Sequence, residues 1–223
     1  MHRSAASLLR ASMNGTPISL ADHQRLVTAM KRTRLEIQSL KRGIEVSLYN
    51  IDVLIGVPGR LEMLTRLREQ RELVRRAVHP CCVAMLDIDR FKSINDTYGH
   101  PTGDCVLVAI AHYIQVHLRP YDMIFRYGGE EFLLCLPDAD IEIGCEICDR
   151  LRSEMATLAH HVNGGPPFQV TLSVGLAMIE ADISVEEAID HADRALLAAK
   201  AAGRNRATVW EPSLSQNQAA EGR

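Results

Sequence analysis

The chain has 223 residues, 47% apolar and 24% charged, with 14 glycines and 9 prolines. This describes one or two globular domains with a sizeable core and excludes collagen-like repeats and wholesale disorder. The net charge of −3 argues against non-specific nucleic-acid binding by the whole chain. No apolar run approaches the roughly 18–20 residues of a bilayer span. The first ten residues lack the apolar run of a secretory signal, so a cytoplasmic location without a transmembrane segment is expected. Of the six cysteines, Cys81, Cys82, Cys105, Cys135, Cys145 and Cys148, only Cys145 and Cys148 have ligand-like spacing. No second pair completes a tetrahedral zinc site, and all six are expected to be reduced packing residues.

Charge divides the chain. Residues 1–50 carry +5 and the remainder −8. Residues 1–17 read as a flexible N-terminus. Across 18–51, Leu26, Met30, Thr33, Ile37, Leu40, Ile44, Ser47 and Ile51 recur at alternating spacings of 4 and 3. That is a heptad seam, with Thr33 and Ser47 as its weak positions. Such a stripe needs cover, so the segment is expected to form a dimeric coiled coil, with packing on its own domain as the alternative. Its basic outer face is expected to be solvated rather than bound to an acidic partner or lipid.

After Asp52 the pattern becomes mixed α/β. A helix is predicted over Leu61–Ala77 and a buried strand over Cys81–Ile88. Thr102–Leu118 reads as a helix with Val106, Ile110 and Ile114 on one face. Met123–Tyr127 and Phe132–Leu136 read as strands joined by a turn at Gly128-Gly129. A helix over Ile141–Ala159 and a strand over Phe168–Ile179 follow. Ser184 is expected to cap a helix reaching Ala201, with Glu187 at the capping-box position. Ala207–Trp210 is a last short strand, and residues 212–223 form a polar tail.

The chemistry-bearing residues gather in a few places. Leu86-Asp87-Ile88-Asp89-Arg90-Phe91-Lys92 ends a buried strand in two carboxylates, which alternation directs to one face. Arg126-Tyr127-Gly128-Gly129-Glu130-Glu131-Phe132 places two glutamates after two glycines, where backbone can approach a bulky ligand. Taken singly, these also describe an ordinary strand end and a solvated hairpin. Together they suit a hard cation such as Mg²⁺, with Asp87 and Glu130 supplying one carboxylate each from neighbouring strands. Lys92, Lys200 and Arg204 could pair with phosphate oxygens. No G-x-x-x-x-G-K-[ST] loop and no G-x-G-x-x-G fingerprint occurs. A metal-and-triphosphate site on a sheet, as in a polymerase palm, fits better.

Gly128 to Phe132 reads GGEEF, and the chain from about Asp52 to Trp210 resembles the GGDEF family of diguanylate cyclases. The resemblance is carried by Asp52 to Arg60, by Asp87 to Asp104 (DIDRFKSINDTYGHPTGD), by Arg126 to Phe132, and by Ala198 to Asn205. It implies a domain over 52–211 with an α/β fold, a class III nucleotide-cyclase-like palm whose central, mostly antiparallel sheet is flanked by helices. It implies condensation of two GTP molecules into cyclic di-GMP across two facing half-sites, in a homodimer joined by the N-terminal helix. By resemblance, Asp87, Glu130 and the Ile88 carbonyl bind Mg²⁺ or Mn²⁺. Asn95 and Asp104 hydrogen-bond guanine, while Phe91, Gly128 and Gly129 line the nucleotide. Lys92, Lys200 and Arg204 contact phosphates. Glu131 would lie near the ribose 3′-OH and assist its deprotonation, and Glu130, Glu131 and Lys92 would carry catalysis. Asp89 is read as structural, and His100 as a loop-packing residue.

The resemblance also implies a product-inhibition site. Arg119-Pro120-Tyr121-Asp122 stands nine residues before Gly128, at the family's RxxD position, and Arg150 matches a second arginine; an exposed turn is the plainer reading of the same residues. The chain departs from the family pattern at Ile55, Gly59 and Leu197, none of them a metal, guanine or phosphate position. The rival readings are a nucleotide-sensing domain without activity, another metal-dependent nucleotide enzyme, and a purely structural coiled-coil protein. A sensory partner of unstated identity is expected, because residues 1–50 contain no recognisable ligand pocket.

Overall fold

The computed structural model describes residues 51–76, 79–160 and 167–214, all within one compact unit that begins at Asn50. The expected flexible N-terminus and coiled-coil segment lie outside the described residues, apart from Ile51, as does the tail beyond residue 214. The elements run α1 (Arg60–Arg75), β1 (Cys81–Ile88), α2 (Phe91–Tyr98), α3 (His100–His117), β2 (Met123–Arg126), β3 (Glu131–Pro137), α4 (Ile141–Met155), β4 (Ala159–His160), β5 (Phe168–Gln169), β6 (Leu172–Met178), α5 (Val185–Ala201) and β7 (Ala207–Val209).

The five-stranded sheet has the order β2-β3-β1-β6-β7, antiparallel except for the parallel β6–β7 pair. It bears out the mostly antiparallel α/β architecture expected from the sequence. β1 is central and buried at every position, which explains its unbroken apolar run. Its even-numbered side, with Cys82, Ala84, Leu86 and Ile88, packs in one core with Ile110 and Ile114 of α3 and Leu151 of α4. Its odd-numbered side, with Cys81, Val83 and Met85, packs in a second core with Met63 and Leu67 of α1 and Ala188, Ala192 and Leu196 of α5.

Caps fix two of these helices. The Asp140 carboxylate accepts from the Ile143 amide at 2.9 Å and starts α4. The Ser184 hydroxyl accepts from the Glu187 amide at 3.1 Å and starts α5, as its sequence predicts. α5 then lies so close to β6 that Gly175 has no room for a side chain. A Cβ there would overlap the Ala192 carbonyl oxygen and the Leu196 amide nitrogen, both backbone atoms. Gly175→Ala is therefore expected to destabilise the domain by about 3 kcal/mol, read by urea unfolding. A variant within about 0.5 kcal/mol of the parent would show that α5 can lift off the sheet at little cost.

Several expectations change in detail. α2 was not anticipated; it is a short helix whose only buried residues are Phe91 and Ile94. α3 starts at His100, with Pro101 in its first turn, so His100 is an exposed helix-opening residue rather than a loop-packing one. The helix predicted to reach Ala159 ends at Met155, and Ala159–His160 pairs instead with Phe168–Gln169. The single strand expected over Phe168–Ile179 is divided between two sheets at Val170-Thr171. Cys81, Cys82, Cys135 and Cys148 are free and buried as expected, but Cys105 is free and exposed.

Candidate active site

Strand register assembles the acidic centre. Asp87, the penultimate residue of β1, lies opposite Glu131 on β3 and Ser173 on β6. Paired residues share a sheet face, so these three side chains stand in a row on the α5 side. Glu130 is in the turn, not in a strand as expected, and its carbonyl oxygen accepts from the Ile88 amide at 3.4 Å. Lys200, in the last turn of α5, reaches back to place Nζ 2.7 Å from Asp87 Oδ2.

Burial sets the electrostatics of this row. Asp87 is 7% exposed. Burial pushes its carboxyl above the ordinary carboxylate range, and the Lys200 ammonium pulls it partly back. Burial also raises Glu130 and Glu131, and the Asp87 charge adds to both shifts. Three carboxylates thus disfavour one another's ionisation, which a bound cation reverses. Among the described residues, no group of three or more His, Cys, Asp or Glu side chains is gathered as a metal cluster. The available donor set, two carboxylates and a carbonyl, is all hard oxygen. It fits a magnesium-type ion that takes its remaining ligands from phosphates and water.

Asp89 belongs to the frame. Its carboxylate accepts from Thr171 Oγ1 at 2.7 Å, Ser173 Oγ at 2.6 Å and the Asn205 amide at 3.0 Å. These bonds tie the end of β1 to β6 and to the loop after α5. That loop carries Arg204, and its left-handed backbone (φ 66° and 45° at Arg204 and Asn205) is held by the Asp89 contact.

The glycine turn is held by Arg126, to which the sequence assigned no part. Its Nε donates to the Gly128 carbonyl at 3.2 Å and an Nη to the Gly129 carbonyl at 2.7 Å. The other Nη lies 2.8 Å from Asp52 Oδ2, and this ion pair is largely shielded from solvent. Asp52 Oδ1 in turn accepts from the Leu54 and Ile55 amides, at 3.0 and 3.1 Å. Neither Gly128 nor Gly129 is left-handed. A Cβ at Gly128 would instead crowd Glu131 Oε2, so that glycine protects the glutamate's position.

The expected guanine contacts lie on the adjoining helices. Asn95 sits on α2 and Asp104 on α3, with Gly99 (φ 83°) turning the chain between them. Asn95 Oδ1 is buried without a hydrogen-bond partner, and a Cβ at Gly103 would overlap it. A buried amide oxygen left unpaired is an acceptor awaiting a donor. Phe91 is buried beside it, whereas Lys92 and Asp104 are exposed. Arg119, Asp122 and Arg150 form a separate group. The Arg119 amide donates to Asp122 Oδ2 at 2.9 Å, and an Arg150 Nη donates to the His117 carbonyl at 3.1 Å. Burial raises Asp122, opposed by the Arg119 amide and charge and by the Arg150 charge, so all three lie together.

Sequence reasoning missed Ser173 and Asp193 as well as Arg126. Ser173 is fully buried between Asp87 and Asp89. Asp193 stands two turns before Lys200 on α5 and is close enough to raise Glu131. That seven-residue spacing is the signal that would have found it.

Comparison with known proteins agrees with this geometry. The family profile described as "Diguanylate cyclase, GGDEF domain" matches residues 49–206. The diguanylate cyclase DgcP of Pseudomonas aeruginosa is 34% identical over 211 residues, covering 90% of this chain and 31% of its own. DosC of Escherichia coli is 34% identical, covering 83% of this chain and 41% of its own. The chain thus spans about a third to two-fifths of the length of these relatives. The coiled-coil and GGDEF domain of DgcB from Caulobacter crescentus, solved with c-di-GMP, has a TM-score of 0.72 at 28% identity, covering 82% of this chain and 98% of that one. The diguanylate cyclase SiaD of Pseudomonas aeruginosa, solved with its activator SiaC, has a TM-score of 0.70 at 36% identity, covering 92% and 78%. The chain belongs to the GGDEF-domain diguanylate cyclase family.

Proposed function

We propose that the chain is a diguanylate cyclase that condenses two GTP molecules into cyclic di-GMP and two pyrophosphates. The observation that carries this reading is the row of Asp87 and Glu131 with Glu130 and Lys200 at the mouth of β1 and β3. Asp87, Glu130 and the Ile88 carbonyl would hold Mg²⁺ or Mn²⁺. When bound, that ion supplies neutralisation of charge on the reacting phosphoryl group. Lys92, Lys200 and Arg204 bind the phosphates. Asp104 accepts from guanine N1–H and N2–H₂, and Asn95 answers N3 or a guanine donor. Phe91, Gly128 and Gly129 complete the walls.

Each ribose 3′-oxygen bonds to the α-phosphorus of the other GTP while the bond to the β-phosphate oxygen breaks. Glu131 assists loss of the 3′-OH proton. One domain binds one GTP, so two must face each other, and catalysis is mostly positioning. The N-terminal helix is assigned the homodimer contact, which raises the effective concentration of the second half-site. We assign the protein to the cytoplasm, with a sensory partner acting on that helix.

The test is turnover of GTP with Mg²⁺ across a range of protein concentrations, with product identified by mass spectrometry. Cyclic di-GMP formed with second-order dependence on protein at low concentration is the expected result. A product other than cyclic di-GMP, or none, overturns the assignment. The Arg119, Asp122 and Arg150 group is proposed to bind product and lock domains in an unproductive pairing. Arg119→Ala should relieve inhibition by added cyclic di-GMP while initial turnover stays within about twofold, since the site lies apart from the reacting atoms. Equal inhibition of parent and variant would reduce the motif to a turn.

A further inference from the structure

α2 has two working sides. Lys92 and Asn95 project from one; on the other, Ser93, Ile94 and Thr97 line a cavity of about 480 Å³. The cavity's far wall is β5 with Thr171, the residue before β6, and its rim is the loop between α5 and β7. The volume lies within the usual range for small-molecule sites. Of its lining residues only Arg204 has a part in the proposed reaction.

Its chemistry is specific. Two arginines, Arg90 and Arg204, line it, and neither guanidinium makes an ion pair or side-chain hydrogen bond among the described residues. Six described arginines, Arg66, Arg68, Arg75, Arg126, Arg152 and Arg194, are ion-paired; Arg76 and Arg119 share the unpaired state but do not line the cavity. The one carboxylate in the lining, Asp89, has its oxygens taken up by three hydrogen bonds. The balance therefore favours an anion. The Tyr98 and Phe168 rings, stacked at 4.7 Å with planes 15° apart, add an aromatic wall. Three of the four non-glycine residues with left-handed backbone in the described chain, Arg90, Arg204 and Asn205, line this same cavity. Such backbone concentrates where a site must be shaped.

Two guanidinium groups without an ion pair, one of which (Arg204) also acts electrostatically on Asp87, and an aromatic wall around a space of this size describe a nucleoside phosphate site. We propose that the cavity between α2, β5 and the α5–β7 loop is a second nucleotide site, taking a nucleoside monophosphate with its base on the Tyr98–Phe168 wall and its phosphate on Arg90 and Arg204. Ser93, Thr97 and Gln169 present hydroxyl and amide groups that both donate and accept, so the site reads the base loosely. Adenine and guanine nucleotides bind alike, unlike at the Asn95–Asp104 side. Arg204 borders both sites. If it also holds the triphosphate of GTP, a clause that rests on the proposed cyclase activity, occupancy of the cavity competes for one guanidinium and raises the KM for GTP.

The test uses the full chain and AMP in the presence of a chelator, by equilibrium dialysis. AMP carries the wrong base for the guanine contacts, and withholding the cation keeps the two sites apart. The expected result is one AMP per chain with a Kd below about 1 mM. Arg90→Glu and Thr97→Trp, which reverse the charge and fill the space, should each weaken binding at least about tenfold, with parent-like circular dichroism. No saturable binding, or equal binding by parent and both variants, overturns the proposal. In turnover assays AMP should raise the KM for GTP in the parent but not in Thr97→Trp. The dialysis result stands whether or not the chain makes cyclic di-GMP, so failure of the two readings is separable.

Discussion

Replacing Glu130 with glutamine is expected to abolish turnover and to stabilise the protein. The two effects share one origin. Burial and the neighbouring Asp87 and Glu131 charges hold the Glu130 carboxyl above its ordinary value. A carboxyl whose pKa is higher folded than unfolded stabilises the fold below the unfolded value and loses that contribution as pH rises through the folded one. At neutral pH its ionisation therefore works against folding, and the neutral amide removes that cost. Thermal melting in chelator should show Glu130→Gln above the parent, with the gap widening as pH rises through the raised carboxylate range. Turnover should move the other way. Losing one of two carboxylate ligands removes several kcal/mol of charge stabilisation, about a 10³-fold fall in rate. The parent's metal affinity should also fall as pH drops, because protons compete with the cation at both raised ligand carboxylates, Asp87 and Glu130. A Glu130→Gln variant that keeps parent-level turnover would remove Glu130 from the metal site. One that melts below the parent in chelator would show that the carboxylate is held by attraction rather than crowding.

Arg126→Ala should cost roughly 100-fold in turnover without unfolding the domain. It deletes both carbonyl contacts to the glycine turn and the ion pair to Asp52. The turn positions Glu130 and Glu131, and displacement of about 1 Å at reacting groups is enough for a loss of that size. The loss should appear in kcat more than in KM, since the guanine contacts lie on other elements. Asp52→Ala separates two routes. It leaves the carbonyl contacts but releases the start of the domain, so a comparable loss would show that the segment before α1 sets the turn. Full activity in Asp52→Ala with a damaged Arg126→Ala would confine the effect to the turn. Full activity in both would show that the turn holds its own shape.

The sequence made the sheet legible because its central strands β1, β3 and β6 are buried on both faces, and continuous apolar runs such as Cys81–Ile88 have few other uses. It made the acids legible because they end such a run. What escaped was short or long-range. α2 has eight residues and two buried side chains, too little for helical periodicity to show. The small β4–β5 pair is two residues per strand, too short for strand alternation to show. Which residue the ladder sets opposite Asp87 was not legible either; it is Glu131, because the pairing offset depends on where β3 begins. Arg126 and Ser173 act through contacts 74 and 84 residues away, apart from Arg126's hold on its own turn, and no local pattern reports such contacts. Asp193 alone had a local signal, its spacing to Lys200.

The strand order has a consequence for synthesis. β1 leaves the ribosome well before either of its two neighbours, β3 and β6. Asp89 waits 84 residues for Ser173, about 4–17 s at ordinary elongation rates. β3 arrives first, so Asp87 and Glu131 meet while the other edge of β1 still has open amide and carbonyl groups. An unpaired edge of that composition is a template for another chain. On polysomes, neighbouring nascent copies of the same strand are close at hand. Slower decoding between β3 and β6 would lengthen the exposure, and faster decoding would shorten it. Synonymous codon choice over residues 138–171 should therefore alter the soluble yield of this protein without changing its sequence.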